Sequence, residues 1–167
     1  MPEVWLRGAV PGIPAELMPV AHSLLQIREE LEAIVPLVPR EQLWVRPGGA
    51  ASIGFHLKHL AGSLDRLLTY ARGEALTERQ IAFLNAEETD GPEAPDHLLR
   101  SAIAAIDEGL KQVRSTDINT LRQPRRVGRA GLPSTVLGLL FHAAEHAQRH
   151  SGQIATTTKV VTSFRRP

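Results

Sequence analysis

Near the C-terminal end, the stretch HAAEHAQRH places His142, His146 and His150 four residues apart. In a helix, residues four apart stand one turn above each other on the same side, so a His-x3-His pair can present two imidazoles to one ion. Leu139, Ala143, His146, His150 and Gln153 follow spacings of four and three, so they share one stripe of an amphipathic helix. Imidazoles on a stripe of that kind need partners, because a buried polar group without one is costly. Two arrangements satisfy them, hydrogen-bonded core histidines or a metal site, and spacing alone leaves both open. A second group lies in SIGFHLKHL, where His56 and His59 flank an apolar stripe. At about 100° per residue, His56 falls nearer the centre of that face than His59 does.

The composition narrows the chemistry. There is no cysteine in the 167 residues, which excludes disulfides, thiolate ligands and a cysteine nucleophile and leaves any metal to His, Asp or Glu. The formal net charge of +1 gives no basis for strong attraction to nucleic acid or to acidic membranes. No apolar run approaches the roughly 20 residues that span a bilayer, and MPEVWLRGAVPGIP does not read as a signal peptide. A cytoplasmic protein is the expectation.

The elements that must position the histidines follow from periodicity. Residues 1–14 carry Gly8, Pro11, Gly12 and Pro14 and read as an irregular arm, with Trp5 and Leu6 as its points of contact with the body. A first helix is predicted from about Ala15 to Val35, with His22 at its surface. After a Pro- and Gly-rich connection, in which Trp44 closes one end of the core and Arg46 is solvated, the second helix starts near Ser52 and stops at Gly73. Thr77 and Gln80 have capping-box spacing and open a short helix that includes Ile81, Phe83 and Leu84, which fold onto the body as a lid. Glu87, Glu88 and Asp90 read as a solvated loop. The third long helix runs from about Pro95 to Ser115 on a seam of Leu99, Ile103, Ile106, Leu110 and Val113. Arg122, Arg125, Arg126 and Arg129 then read as a solvated hairpin or a subunit contact. The last helix is capped by Ser134 and reaches toward Thr157, and residues 158–167 form a tail. Four long amphipathic patterns with little strand signal make an all-α four-helix bundle, read as one domain over residues 1–167.

SIGFHLKHLAGSLDRLL (52–68) and HAAEHAQRHSGQI (142–154) together resemble the DinB/YfiT-like superfamily. The resemblance implies a bundle of that type, with the additional short helix between helices 2 and 3 and a metal held by three histidines near one end. Matched residue by residue, it assigns His59, not His56, together with His146 and His150 as ligands, and leaves His56 and His142 beside the site. It implies a divalent ion, zinc or nickel, and a metal-dependent transferase or hydrolase that activates a low-molecular-weight thiol or water. A homodimer is part of the same expectation. Glu145 follows the helix about 100° away from His146, so no general acid or base is assigned. The alternatives are a non-catalytic, stress-related metal-binding bundle and a metal-free interaction module.

Overall fold

The computed structural model describes residues 1–163. Among the described residues there are five α-helices: α1 (Met18–Ile34), α2 (Ile53–Arg72), α3 (Glu78–Ala86), α4 (Pro95–Ser115) and α5 (Val136–Ser163). A two-stranded antiparallel hairpin, β1 (Pro124–Val127) and β2 (Leu132–Thr135), precedes α5. The long helices α1, α2, α4 and α5 form the bundle. Both α1 and α2 pack against both α4 and α5, so each of these pairs occupies a diagonal.

Side-chain pairings set the helix directions. In α1, Ser23 and Glu30 reach Gln148 and Ser151 of α5, so these two run together. Arg28 meets Asp107 while Leu24 packs on Gly109, so α4 runs against α1. His59 faces His146 and His56 faces His150, so α2 runs against α5. The order is therefore up-down-down-up. Since α2 and α4 run the same way, the chain must return between them, and α3 is that return, laid antiparallel along α2.

Local chemistry explains the ends. Ser52 Oγ accepts from Phe55 N at 3.1 Å and caps α2, and Gly73 at φ 81° ends it in the left-handed conformation. Thr77 and Gln80 form the expected capping box. The core is aliphatic, with Leu24, Ile27, Leu57, Leu60, Ile106 and Leu140 almost wholly buried.

Several expectations shift. In the arm a 3-10 turn spans Val4–Arg7, and it is Val4 that is buried, while Trp5 and Leu6 are 60% and 58% exposed. Gln26 explains the choice, since its Oε1 accepts from Val4 N and turns that residue inward. The α4 seam lies one residue earlier in its first half, on Leu98 and Ala102, leaving Leu99 and Ile103 only partly buried. Ser134 belongs to β2, and α5 is capped by Thr135, whose Oγ1 accepts from Gly138 N. Gln153 is exposed, and α5 continues through Ser163, burying Thr157, Thr158 and Val161. Most of the expected tail is thus helix, and 164–167 lie outside the described residues. The hairpin holds Arg125, Arg126 and Arg129, while Arg122 lies in the turn before β1, and Arg125 ties the hairpin to the end of α2 through Ala71 O at 2.7 Å.

Candidate metal centre

The histidines gather where α2 crosses α5. His59 Nε2 and His146 Nε2 lie 3.0 Å apart, and the rings of His59 and His146 each have a centroid 4.7 Å from that of His150. One nitrogen from each of His59, His146 and His150 lies within 4.8 Å of the others, a grouping that could hold a metal ion. An ion at about 2.0–2.1 Å from each nitrogen requires only small ring movements from there. Helical pitch places His146 and His150 in line, and the antiparallel approach of α2 supplies the third ring from 87 residues away.

His56 is 5% exposed and lies deeper than His59, as periodicity on α2 indicates. Its Nδ1 is 2.9 Å from His150 Nδ1, so one of these nitrogens donates to the other. His142 stands at the outer edge, half exposed, with Nδ1 3.2 Å from Glu145 Oε2. Glu145 turns outward to pair with Arg149. Phe55 stacks on His59 with ring planes 13° apart.

The sequence reading placed Glu87 in a solvated loop, but it is 2% exposed. Its Oε2 sits 2.8 Å from His59 Nδ1, and Arg66, 8% exposed, donates to both carboxylate oxygens. Glu87 follows directly on α3, and nothing in its type or neighbours separates it from exposed Glu88. What buries it is the docking of α3 on α2. There Gly62 leaves room, since a Cβ would lie 2.2 Å from Glu87 Oε1 and 2.6 Å from the Phe83 ring. Asp90 is the solvated residue expected, and Arg46 pairs with it.

The donor set fits a cation. With Glu87 ionised and accepting, His59 carries its proton on Nδ1 and turns the Nε2 lone pair toward His146. His146 Nδ1 lies 3.4 Å from Arg149 Nη2, a group that only donates. Were His146 to hold a cation through Nε2, its proton would sit on Nδ1 and this long contact would be given up, with Arg149 keeping Glu145 as its partner. Burial, reinforced by neighbouring His59, pushes His56 and His146 down to about 4. His150 falls to about 3, again mainly by burial. All three are therefore neutral at pH 7, which for His146 and His150 is the state a ligand must have.

The same shifts fix a pH dependence. A histidine whose folded pKa lies below the ordinary 6.5 binds fewer protons than in the unfolded chain, so stability is lost as pH falls below about 6.5 toward 4. After allowance for the partial exposure of the rings, the metal-free chain should lose about 1–2 kcal/mol between pH 7 and pH 5. Urea unfolding at the two values measures it, and an unchanged midpoint would contradict the burial argument.

The sequence pattern of the DinB superfamily matches residues 23–154, which contain His56, His59, His142, His146 and His150. The chain belongs to the DinB superfamily. A crystal structure of a DinB-like protein from Bacillus cereus ATCC 10987 is similar in fold, with a TM-score of 0.64 and 14% sequence identity over 86% of this chain and 91% of that one. No curated protein sequence matches. The DinB assignment accounts for the helical bundle, and no helix among the described residues is long and apolar enough to cross a membrane.

Proposed function

We propose that this DinB protein is a metal-dependent enzyme of the thiol-dependent transferase or hydrolase type, with His59, His146 and His150 holding one zinc or nickel ion. The observation that carries the reading is the Glu87 contact at 2.8 Å, which commits the His59 proton to Nδ1 and frees Nε2 for the cluster. Three protein ligands leave a coordination position open, where the ion when bound would lower the pKa of a thiol or water.

The chain's own residues do the positioning. Glu87 and Phe55 fix the plane of His59, and His56 holds His150 by its Nδ1. About one turn along the α2–α5 seam lies a cavity of about 670 Å³. Ala50, Ala51, His56, Arg149, Gln153 and Thr156 line it. It is large enough for a small organic molecule, and hydrogen-bond donors outnumber acidic groups on its wall. If His150 were to hold the ion through Nε2, its Nδ1–H would donate to His56 Nδ1 and leave the His56 proton on Nε2. The absence of cysteine supports a cytoplasmic setting, and Phe141, 60% exposed on α5, supports a homodimer.

Cobalt-loaded protein titrated with a low-molecular-weight thiol tests the reading. The expected result is a saturable thiolate-to-cobalt absorption band with the ion retained. Retained cobalt with an unaltered spectrum would contradict thiol activation. It would favour the non-catalytic metal-binding reading, which the commitment of Glu87 to His59 and Arg66 also favours, since it leaves no free carboxylate beside the cluster.

A further inference from the structure

The return helix α3 is held in an unusual way. None of its residues is buried, and Ile81, Phe83 and Leu84 remain 38–42% exposed. Its attachment to α2 is instead a set of polar clasps. Gln80 Nε2 donates to Asp65 Oδ2 and to Thr69 Oγ1 at 2.9 and 2.8 Å. At the other end Lys58 Nζ, itself 8% exposed, donates to Ala86 O and Thr89 O at 2.9 Å each. Between them Glu87 enters the interior and bonds Arg66 and His59. An element with little apolar burial and polar attachments sits at the low end of local stability. Its docking is therefore sensitive to the strength of any one clasp, and one of those clasps is a histidine of the cluster.

We infer that docking of α3 and metal binding at the three histidines are one linked equilibrium, transmitted by the Glu87–His59 hydrogen bond. This rests on the metal reading above. A cation at His59 Nε2 withdraws electron density from the ring and makes Nδ1–H a stronger donor to Glu87. Docked Glu87 in turn fixes the ring orientation and raises its basicity toward the ion. Linkage makes the two effects equal: whatever factor α3 docking adds to metal affinity, bound metal adds to α3 docking. Glu87 acts here as a positioning residue. Arg66 holds the carboxylate from the far side, so that its charge is balanced when His59 is neutral.

The test measures zinc affinity by chelator competition and amide hydrogen exchange across residues 78–89, on the full chain with and without zinc. In the wild type, zinc should slow exchange in α3 by about the 10–100-fold typical of a partner behind a metal ligand. Glu87→Ala should weaken zinc by the same factor and abolish the zinc-dependent protection at saturating zinc. Because Glu87→Ala leaves Arg66 buried without its partner, Gln80→Ala supplies a milder probe on the exposed side. It loosens α3 far from the histidines and should weaken zinc severalfold. Zinc bound by the wild type with α3 exchange unchanged would overturn the linkage and leave the metal site standing. So would a Gln80→Ala chain whose α3 exchanges as an unprotected segment, and is therefore mostly undocked, but which keeps unaltered zinc affinity. A wild-type chain that binds no zinc would overturn both readings.

Discussion

Replacing His146 and His150 together by alanine should lower affinity for zinc or nickel by well over about 100-fold, since disturbing a residue behind a ligand already costs roughly 10–100-fold. The two rings come from one helix, and their loss leaves His59 as the single remaining member of the ligand group. The helix should survive. Alanine is the better helix former, and the change removes two polar groups that burial keeps neutral. The variant is expected to fold, to lose about 1–3 kcal/mol near pH 7 because buried His56 gives up its His150 partner, and to be less sensitive to acid between pH 7 and pH 5. Isothermal titration with zinc, alongside urea unfolding at both pH values, separates the two effects. A variant that kept wild-type zinc affinity would place the ion elsewhere. One that failed to fold would show these rings to be packing residues.

The second large effect is expected at Gly54, where substitution by valine should destabilise the fold by about 2–4 kcal/mol. A Cβ there would come within 2.4–2.6 Å of three atoms of the Trp44 ring, a rigid group that cannot move aside as the end of a flexible chain can. Gly54 N also donates to Leu43 O at 2.9 Å, so the backbone is held against the Trp44 turn. This gives the Ser-Ile-Gly start of α2 a physical meaning. Ser52 caps the helix, Ile53 is fully buried, and Gly54 lets Trp44 close on it. His56 and His59 lie within two turns of this junction, so loosening it should reach the histidines as well. Urea unfolding of Gly54→Ala and Gly54→Val measures the loss, and a change below about 0.5 kcal/mol would refute the close-packing argument.

Much of the bundle was legible because its signals are local. Apolar spacing marked each long helix, Gly73 marked a stop, and Thr77 with Gln80 marked the start of α3. The histidine pair of α5 was visible because both partners lie on one helix, where sequence spacing is spatial spacing. The third ring was harder. Periodicity on α2 pointed to His56, which is the more buried of the two, while the family resemblance pointed to His59, which the fold brings to His146. Burial and access to a shared ion are different properties, and only the first is written in the period of a helix. Glu87 was not legible at all. Its role depends on α3 folding back along α2, and that register comes from Gln80, Gly62 and Lys58 acting together over a long span of chain. The helix directions were hidden for a similar reason, since they rest on cross-bundle pairs such as Glu30 with Ser151.

The most direct measurement of the central claim is elemental analysis of untagged protein purified without chelator, comparing wild type with His59→Ala and His56→Ala. About one divalent ion per chain is expected in the wild type. That ion should be lost in His59→Ala and kept in His56→Ala, where only the partner of His150 is removed. A wild type that holds no metal, even after incubation with zinc or nickel, would contradict the claim and leave the histidines as a hydrogen-bonded cluster in a helical interaction module.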